Sequence, residues 1–499
     1  MAELETIIAQ RLLRRANLAC EIELQDLLAQ VLKSAIEGSL NISQDLLSKI
    51  PSALWSDGSD GNKPFVIHEG KLYLQKNWEI ERRTLKKIDE LRSRAVPSVS
   101  VETVYQNSLH LFKNVLQPAQ NQALQQLFYE SFGILTGGPG TGKTYTASRL
   151  IYLLGSSSSK PFRVAIAAPT GKAAAHFESS LKSISDLPEN LTLISTTLHR
   201  LLHLSPNVNR FTSTQTIDAD LVIVDEASML DLSLLLHLLL AIGPQTRLLL
   251  LGDPDQLPPV ESASLFPRLA KLYGHKLERS MRMGDQDLVS LAQAINRSDR
   301  AWLLRWLAEH PINLDISVTG RDKLVAWLYQ LLPNPLFEQY PDPVACLAVQ
   351  KKIRVLGGLR QGPLGIDELN RLLLEQYLAA GREWMAIPIL IAKNDQRQNL
   401  FNGTSGVLIR RKGHRFGKAY FEGREPISEM ALPHFETAFC ISVHKSQGSE
   451  FEEVIAFFQP GSERFGKEAL YTAVTRAKQK ASLVINEETL QNMFRSEGI

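Results

Sequence analysis

Eight consecutive residues, "GGPGTGKT" at 137–144, carry the first recognisable chemistry in this 499-residue chain. Gly137 and Gly142 stand at the GxxxxGK[ST] spacing, between an apolar run (Phe132, Ile134, Leu135) and a helix start. Glycines let backbone N–H groups close on phosphate oxygens, and the positive end of the helix adds to the attraction. Gly138, Pro139, Gly140, Thr141 and Gly142 make the cradle, Lys143 is placed for the β- and γ-phosphates, and Thr144 is placed for Mg²⁺. A loop of this kind serves many NTPases, so it predicts nucleotide binding without saying what the energy is used for.

Three further strand ends narrow the class. "LVIVDEASML" (221–230) closes an apolar run on Asp225 and Glu226, the first suited to the Mg²⁺ sphere and the second to orienting or activating water. This favours a hydrolase over a phosphotransferase. "LLLGDPDQLPPVE" (249–261) ends on Gln256, a neutral planar group able to sense a γ-phosphate and touch a second ligand. "AAPTGKAAAHF" (167–177) puts Thr170, Gly171 and Lys172 at a helix N-terminus, where a nucleic-acid phosphate fits.

Arg282 in "LERSMRMGD" and Arg476 in "LYTAVTRAKQ" are candidate cations for transition-state charge. "ISVHKSQGSEFEEV" (441–454) adds His444, Lys445, Ser446 and Gln447 as donors for phosphates or bases, with Glu450 as a partner for a ribose or an arginine.

The elements that must position these groups follow from pattern. From about 105 to 290, strand-like runs ("GILTG", "RVAIAAP", "LVIVDE", "RLLLLGD") alternate with helical segments, which predicts a doubly wound parallel sheet with its chemistry at the strand C-terminal ends. A second alternating region covers 291–499, with strands expected at "PVACLAV", "PILIAKN", "VIAFF" and "ASLVIN" and a short basic insertion near 408–441 whose pattern fits a small β-unit. Residues 1–100 begin with the amphipathic "MAELETIIAQRLLRR" rather than a signal peptide, carry a hairpin pattern in "FVIHEGKLYLQKNW" and end in a linker-like "RAVPSVSVE".

Hydrophobic residues at 44%, charged residues at 22% and a net charge of +2 describe a globular chain of two to four domains. Three scattered cysteines fit no zinc spacing or disulfide framework and suit a reducing cytoplasm, and the longest apolar stretch, 232–242, is too short for a bilayer.

Taken in order, the P-loop, "APTGKAA", "VDEAS", "GDPDQLPPV", "SMR", "VHKSQGSEF" and "YTAVTRAK" resemble the helicase motifs of superfamily 1 over residues 105–485. Within it the chain is similar to the RecD family, the α chains of exodeoxyribonuclease V (the RecBCD complex). "GKLYLQKNWEIE", "RVLGGLRQGPLGIDELN" and "IAKNDQRQNLFNGTSGVL" carry that likeness. So does "TTLHRLL", which puts His199 among the DNA-binding candidates. Gln120 matches the adenine-reading glutamine upstream of the P-loop, with Gln122 close beside it.

The resemblance implies an α/β fold: two RecA-like P-loop NTPase motor domains with parallel sheets, plus a small N-terminal α/β domain that docks on partner chains. It also implies ATP with Mg²⁺, 5′→3′ movement on single-stranded DNA, action at double-stranded ends, and RecB- and RecC-like subunits in a cytoplasmic heterotrimer with no membrane. Lys143, Asp225, Glu226, Gln256, Arg282 and Arg476 are then the catalytic set. Thr170, Lys172, His199, His444 and Lys445 are the strand contacts. The short 203–220 segment and the small 408–441 insertion leave little room for strand-splitting devices. A free-standing helicase and a structural subunit with an inactive motor stand as alternatives.

Overall fold

The computed structural model describes residues 4–37, 40–41, 48–94, 116–182, 187–204, 215–259, 264–279, 286–310, 321–332, 341–395, 397–398 and 400–495. At the N-terminus, helices Leu4–Arg15 and Ile22–Glu37 cover a four-stranded sheet around Ala9, Leu13, Leu28, Leu54, Phe65 and Leu72. The expected hairpin is its centre. Phe65–His68 pairs antiparallel with Lys71–Leu74 through Glu69 and Gly70, whose φ values of 49° and 73° match the right-handed twist of the strands they join.

Helix Gln75–Arg92 follows that hairpin without a linker, and it belongs to a different core. Ile80, Ile88 and Leu91 pack with the helix Leu232–Ala241. Arg268 holds the buried Glu81 at 2.6 Å, and Arg92 lies 4.0 Å from the centre of the Tyr273 ring. The domain boundary expected at 100 thus has a better physical place just before Gln75.

The first α/β domain is built on six parallel strands, in the order Gly274–Leu277, Phe132–Gly137, Arg247–Gly252, Leu221–Val224, Phe162–Ala168 and Leu191–Thr197. The P-loop strand and its central neighbours are buried on both faces, which is why they read as unbroken apolar runs.

The second domain corrects two expectations. "PVACLAV" is not a strand: Pro343–Lys352 is a helix, started by Pro343 and by the Asp342 carboxylate, which accepts from Val344 N at 3.2 Å and Ala345 N at 3.0 Å. Its parallel sheet has the order Cys440–Ser442, Ile353–Gly357, Phe451–Phe458, Ala477–Ile485. "PILIAKN" does form a strand, Trp384–Ile391, but an antiparallel one. It is the fourth strand of a five-stranded β-unit that takes in the basic insertion up to Thr437. Buried Arg354 ties that unit to the parallel sheet, donating to Ala438 O, Gln350 Oε1 and Ser405 Oγ at 3.0–3.1 Å.

Helix Gln286–Asn296 packs in the second domain against Gly466–Val474, so the boundary placed at 290 falls inside a helix. No helix among the described residues is long and apolar enough to cross a membrane.

Candidate functional site

The glycine-rich turn follows the Phe132–Gly137 strand and opens the helix Lys143–Ser157. Gly140 and Gly142 take φ values of 74° and 86°, left-handed conformations that other residues adopt only with strain. A Cβ at Gly142 would also lie 2.4 Å from Gln120 Nε2. Gln120 is buried and braces the loop: its Nε2 donates to Thr141 O at 3.0 Å, while its Oε1 accepts from Gln117 N at 3.0 Å. Lys143 folds over the turn, with Nζ donating to Gly137 O at 2.6 Å and Gly138 O at 3.1 Å. Thr144 stands half-buried in the first helical turn.

Two strands away, Asp225 and Glu226 leave the end of Leu221–Val224. Asp225 Oδ1 accepts from Glu226 N at 2.9 Å, and Glu226 is held at φ 52°, a strained conformation for a residue with a side chain. Burial, and after it the Glu226 charge, pushes the Asp225 carboxyl up to about 7, with the Lys143 ammonium acting in the opposite direction. The acidic pair offers hard oxygen ligands of the kind Mg²⁺ takes, and Thr144 carries a hydroxyl of the same hardness on the P-loop helix.

Gln256 sits in the turn after Arg247–Gly252. Its Nε2 donates to Asp253 Oδ2 at 3.2 Å, and its buried Oε1 has no partner among the described residues. An unpaired buried acceptor is costly unless a ligand answers it. Cradle, cation ligands and orphaned amide together fit a nucleoside triphosphate with its Mg²⁺.

The second domain closes over this turn. Tyr471 Oη donates to Asp253 Oδ2 at 2.9 Å, Thr472 Oγ1 accepts from Leu257 N at 2.8 Å, and Gln447 Nε2 donates to Leu257 O at 2.8 Å. Between the domains lies a cleft of about 460 Å³ lined by Gly138, Pro139, Lys276, Asn296, Tyr471 and Lys478, a size suited to a small-molecule ligand.

Not every candidate points into the cleft. Arg476 is buried in its own domain, with Nε donating to Thr472 O at 3.2 Å and Nη1 to Ser449 O at 3.4 Å. Reaching a phosphate requires it to leave those carbonyls. Glu450 pairs with Lys478 at 3.4 Å. Arg282 and the 205–214 segment lie outside the described residues.

Of the strand-contact candidates on the first domain, Thr170 lies close to the second domain. Thr170 precedes the helix Gly171–Lys182, on whose first turn Lys172 sits. Its Oγ1 accepts from Ala173 N at 3.3 Å and would be 3.9 Å from a Cβ at Gly448 of the second domain. Phe401, from the β-unit, rests on Gly171, where a Cβ would be 3.2 Å from its ring. Lys445 is committed to Glu436 at 2.6 Å, which Arg360 also holds. His199 is exposed in the short helix Leu198–Leu201.

His444, half-buried at 5.4 Å from the Phe465 ring, is pushed from the ordinary 6.5 down to about 4, first by burial and then by Arg464. It is therefore a neutral donor, not a cation, near neutral pH. The linkage has a definite sign: below 6.5 the unfolded chain takes a proton that the folded chain refuses until about 4, so the stability tied to this residue falls as pH falls through that window. The stability difference between wild type and His444→Gln should therefore shrink between about pH 7 and about pH 5 in urea unfolding. A constant difference means that the imidazole titrates alike in both states.

Tyr471, Thr472, Asp253 and Phe401 were within reach of the sequence, since each lies in a stretch already singled out.

Residues 120–262 match the AAA domain family, and residues 437–484 match the UvrD-like helicase C-terminal domain family. The chain is 32% identical over 467 residues to the RecBCD enzyme subunit RecD of Mycolicibacterium smegmatis, covering 86% of this chain and 80% of that one. It is 29% identical over 380 residues to the ATP-dependent RecD2 DNA helicase of Deinococcus radiodurans, covering 73% of this chain and 48% of that one. Among solved structures, Bacteroides Pif1 bound to single-stranded DNA aligns with a TM-score of 0.41 at 16% identity, over 75% of this chain and 94% of that one.

Proposed function

The chain belongs to the RecD family, and on that premise we propose that it is the ATP-dependent 5′→3′ DNA helicase subunit of an exodeoxyribonuclease V (RecBCD-type) complex. Such a complex unwinds and degrades double-stranded DNA ends for recombinational repair, with RecB- and RecC-like partners and cleavage assigned to a partner chain. One observation carries the motor part of this reading. The P-loop lysine and the acidic pair leave strands on either side of the one that ends in the Gln256 turn, close enough for the Lys143 charge to act on Asp225, and a second RecA-like domain grips that turn.

Bound ATP with Mg²⁺ supplies the phosphoanhydride whose hydrolysis drives movement. Gly138 to Gly142 would present backbone donors to its phosphates, with Gln120 as the residue to read the adenine and Glu450 to meet the ribose. Lys143 exchanges the Gly137 and Gly138 carbonyls for phosphate oxygens. Thr144 and Asp225 would hold the cation, and Glu226, whose N–H is bonded to Asp225, would orient water and take its proton. Arg282 and Arg476 add positive charge, the latter on leaving Thr472 O and Ser449 O. Thr170, Lys172, His199, His444 and Lys445 lie along one DNA strand, contacting its backbone because a translocase must ignore sequence.

The test uses tailed duplexes and salt. The full complex should unwind a duplex with a 5′ tail through this chain when the partner motor is inactivated, and Thr170→Ala should weaken single-strand binding about equally for all sequences. Log affinity should fall with log salt at a slope of about −0.7 per phosphate neutralised. Binding that ignores salt or depends on sequence contradicts a translocase groove.

A further inference from the structure

Tyr471 is buried in the helix Gly466–Val474 of the second domain, yet its hydroxyl reaches the first domain at two places. It donates to Asp253 Oδ2 at 2.9 Å, and it would stand 3.0 Å from a Cβ at Gly138, on the phosphate-binding loop itself. The same Oδ2 accepts from Gln256 Nε2 at 3.2 Å, so donors from both domains converge on one oxygen. The other carboxylate oxygen accepts from Asp255 N at 3.1 Å, which leaves Asp253 little freedom to turn.

Around that bond the turn is held from the same side. Leu257 has its N–H bonded to Thr472 and its carbonyl to Gln447, each at 2.8 Å, and Asn296 Nδ2 donates to Asp255 Oδ2 at 2.9 Å. Gln256 is thus the residue between two clamped neighbours, and its free Oε1 is aimed by the bond that its own Nε2 makes to Asp253.

We propose that Tyr471 is a positioning residue for ATP hydrolysis: through Asp253 it fixes the Gln256 amide only while the second motor domain is seated on the first. The inference rests on the motor reading above. Separating the domains removes the Tyr471 hydroxyl from Oδ2, leaving Asp253 held through its Oδ1 alone against the Gln256 amide, which is then less firmly aimed. Seating restores both. Burial and the neighbouring Asp253 charge hold the phenol well above its ordinary range, so it stays a donor at any working pH.

Tyr471→Phe keeps the ring and deletes one charge-assisted hydrogen bond. In the full chain, kcat for DNA-stimulated ATP hydrolysis should fall about tenfold or more, with KM for ATP within about twofold and the unfolding midpoint unchanged. In a Gln256→Ala background, measured with γ-labelled ATP, the same change should have almost no further effect, because the residue it acts through is already gone.

Unchanged kcat in Tyr471→Phe overturns the proposal. So does a loss that is repeated in full on Gln256→Ala, or a raised KM with kcat intact, which would make the hydroxyl a nucleotide contact. A wild-type chain without DNA-stimulated hydrolysis sinks the motor reading and this inference with it, whereas an active wild type matched by Tyr471→Phe sinks this inference alone.

Discussion

Lys143→Gln lowers the rate of ATP hydrolysis by about a hundred- to a thousandfold, the cost of losing one preorganised charge at a reacting phosphate, and leaves single-stranded DNA binding measurable. The ammonium is already confined to the loop by two carbonyls at 2.6 and 3.1 Å, so little reorganisation separates its resting place from the phosphates. It is also the charge that restrains the rise of the Asp225 carboxyl, and without it Asp225 is a poorer cation ligand. The proposed strand contacts, Thr170 among them, are residues other than Lys143, so strand binding should survive. Steady-state hydrolysis and a filter-binding isotherm on the same preparation decide the matter. Normal turnover in the variant removes the P-loop assignment.

Removing residues 1–74 and removing residues 1–94 should have very different outcomes. The shorter deletion takes away the N-terminal sheet and its own core, and it leaves a motor with DNA-stimulated hydrolysis that no longer joins its partner chains. The longer deletion also strips Ile80, Ile88 and Leu91, none more than 4% exposed, from the core beneath the Leu232–Ala241 helix. At about 1.5–3 kcal/mol for each buried side chain, that loss is roughly 5–9 kcal/mol. It matches the whole stability of an ordinary domain, roughly 5–15 kcal/mol, so the product should be insoluble or molten. Soluble yield and a thermal unfolding trace for the two truncations give the answer. Equal stability would return Gln75–Arg92 to the N-terminal unit, and full-stoichiometry assembly of the shorter deletion would move the docking role elsewhere.

The strands that deliver the chemistry were legible because a strand buried on both faces must be apolar throughout, and the polar residues at its end then stand out. Asp225, Glu226 and Gln256 were found in that way. "PVACLAV" defeated the same logic. A short apolar run has no period to read, and the deciding signal was the Asp342-Pro343 pair ahead of it, an N-cap and a first-turn proline. The helical pattern of 75–92 was equally visible, but which core a helix joins depends on surfaces that lie far away in sequence. The same holds for Tyr471 and Asp253, bonded across 218 positions, and for Arg476, whose resting carbonyl partners only the folded chain reveals.

The passage from hairpin to helix at Leu74 and Gln75 has a mechanical meaning. Gln75 N bonds back to Pro64 O at 2.8 Å, and Trp78, in the first helical turn, packs against His68 and Tyr73 with ring centres 4.5 and 5.3 Å away. There is no slack at this junction. A load applied to the N-terminal sheet passes straight into the first domain, as through a bolted bracket, and that domain becomes the fixed frame of the machine. On the proposed motor reading, the stroke would then fall to the second domain, carrying its β-unit, fastened by Arg354, as a rigid arm.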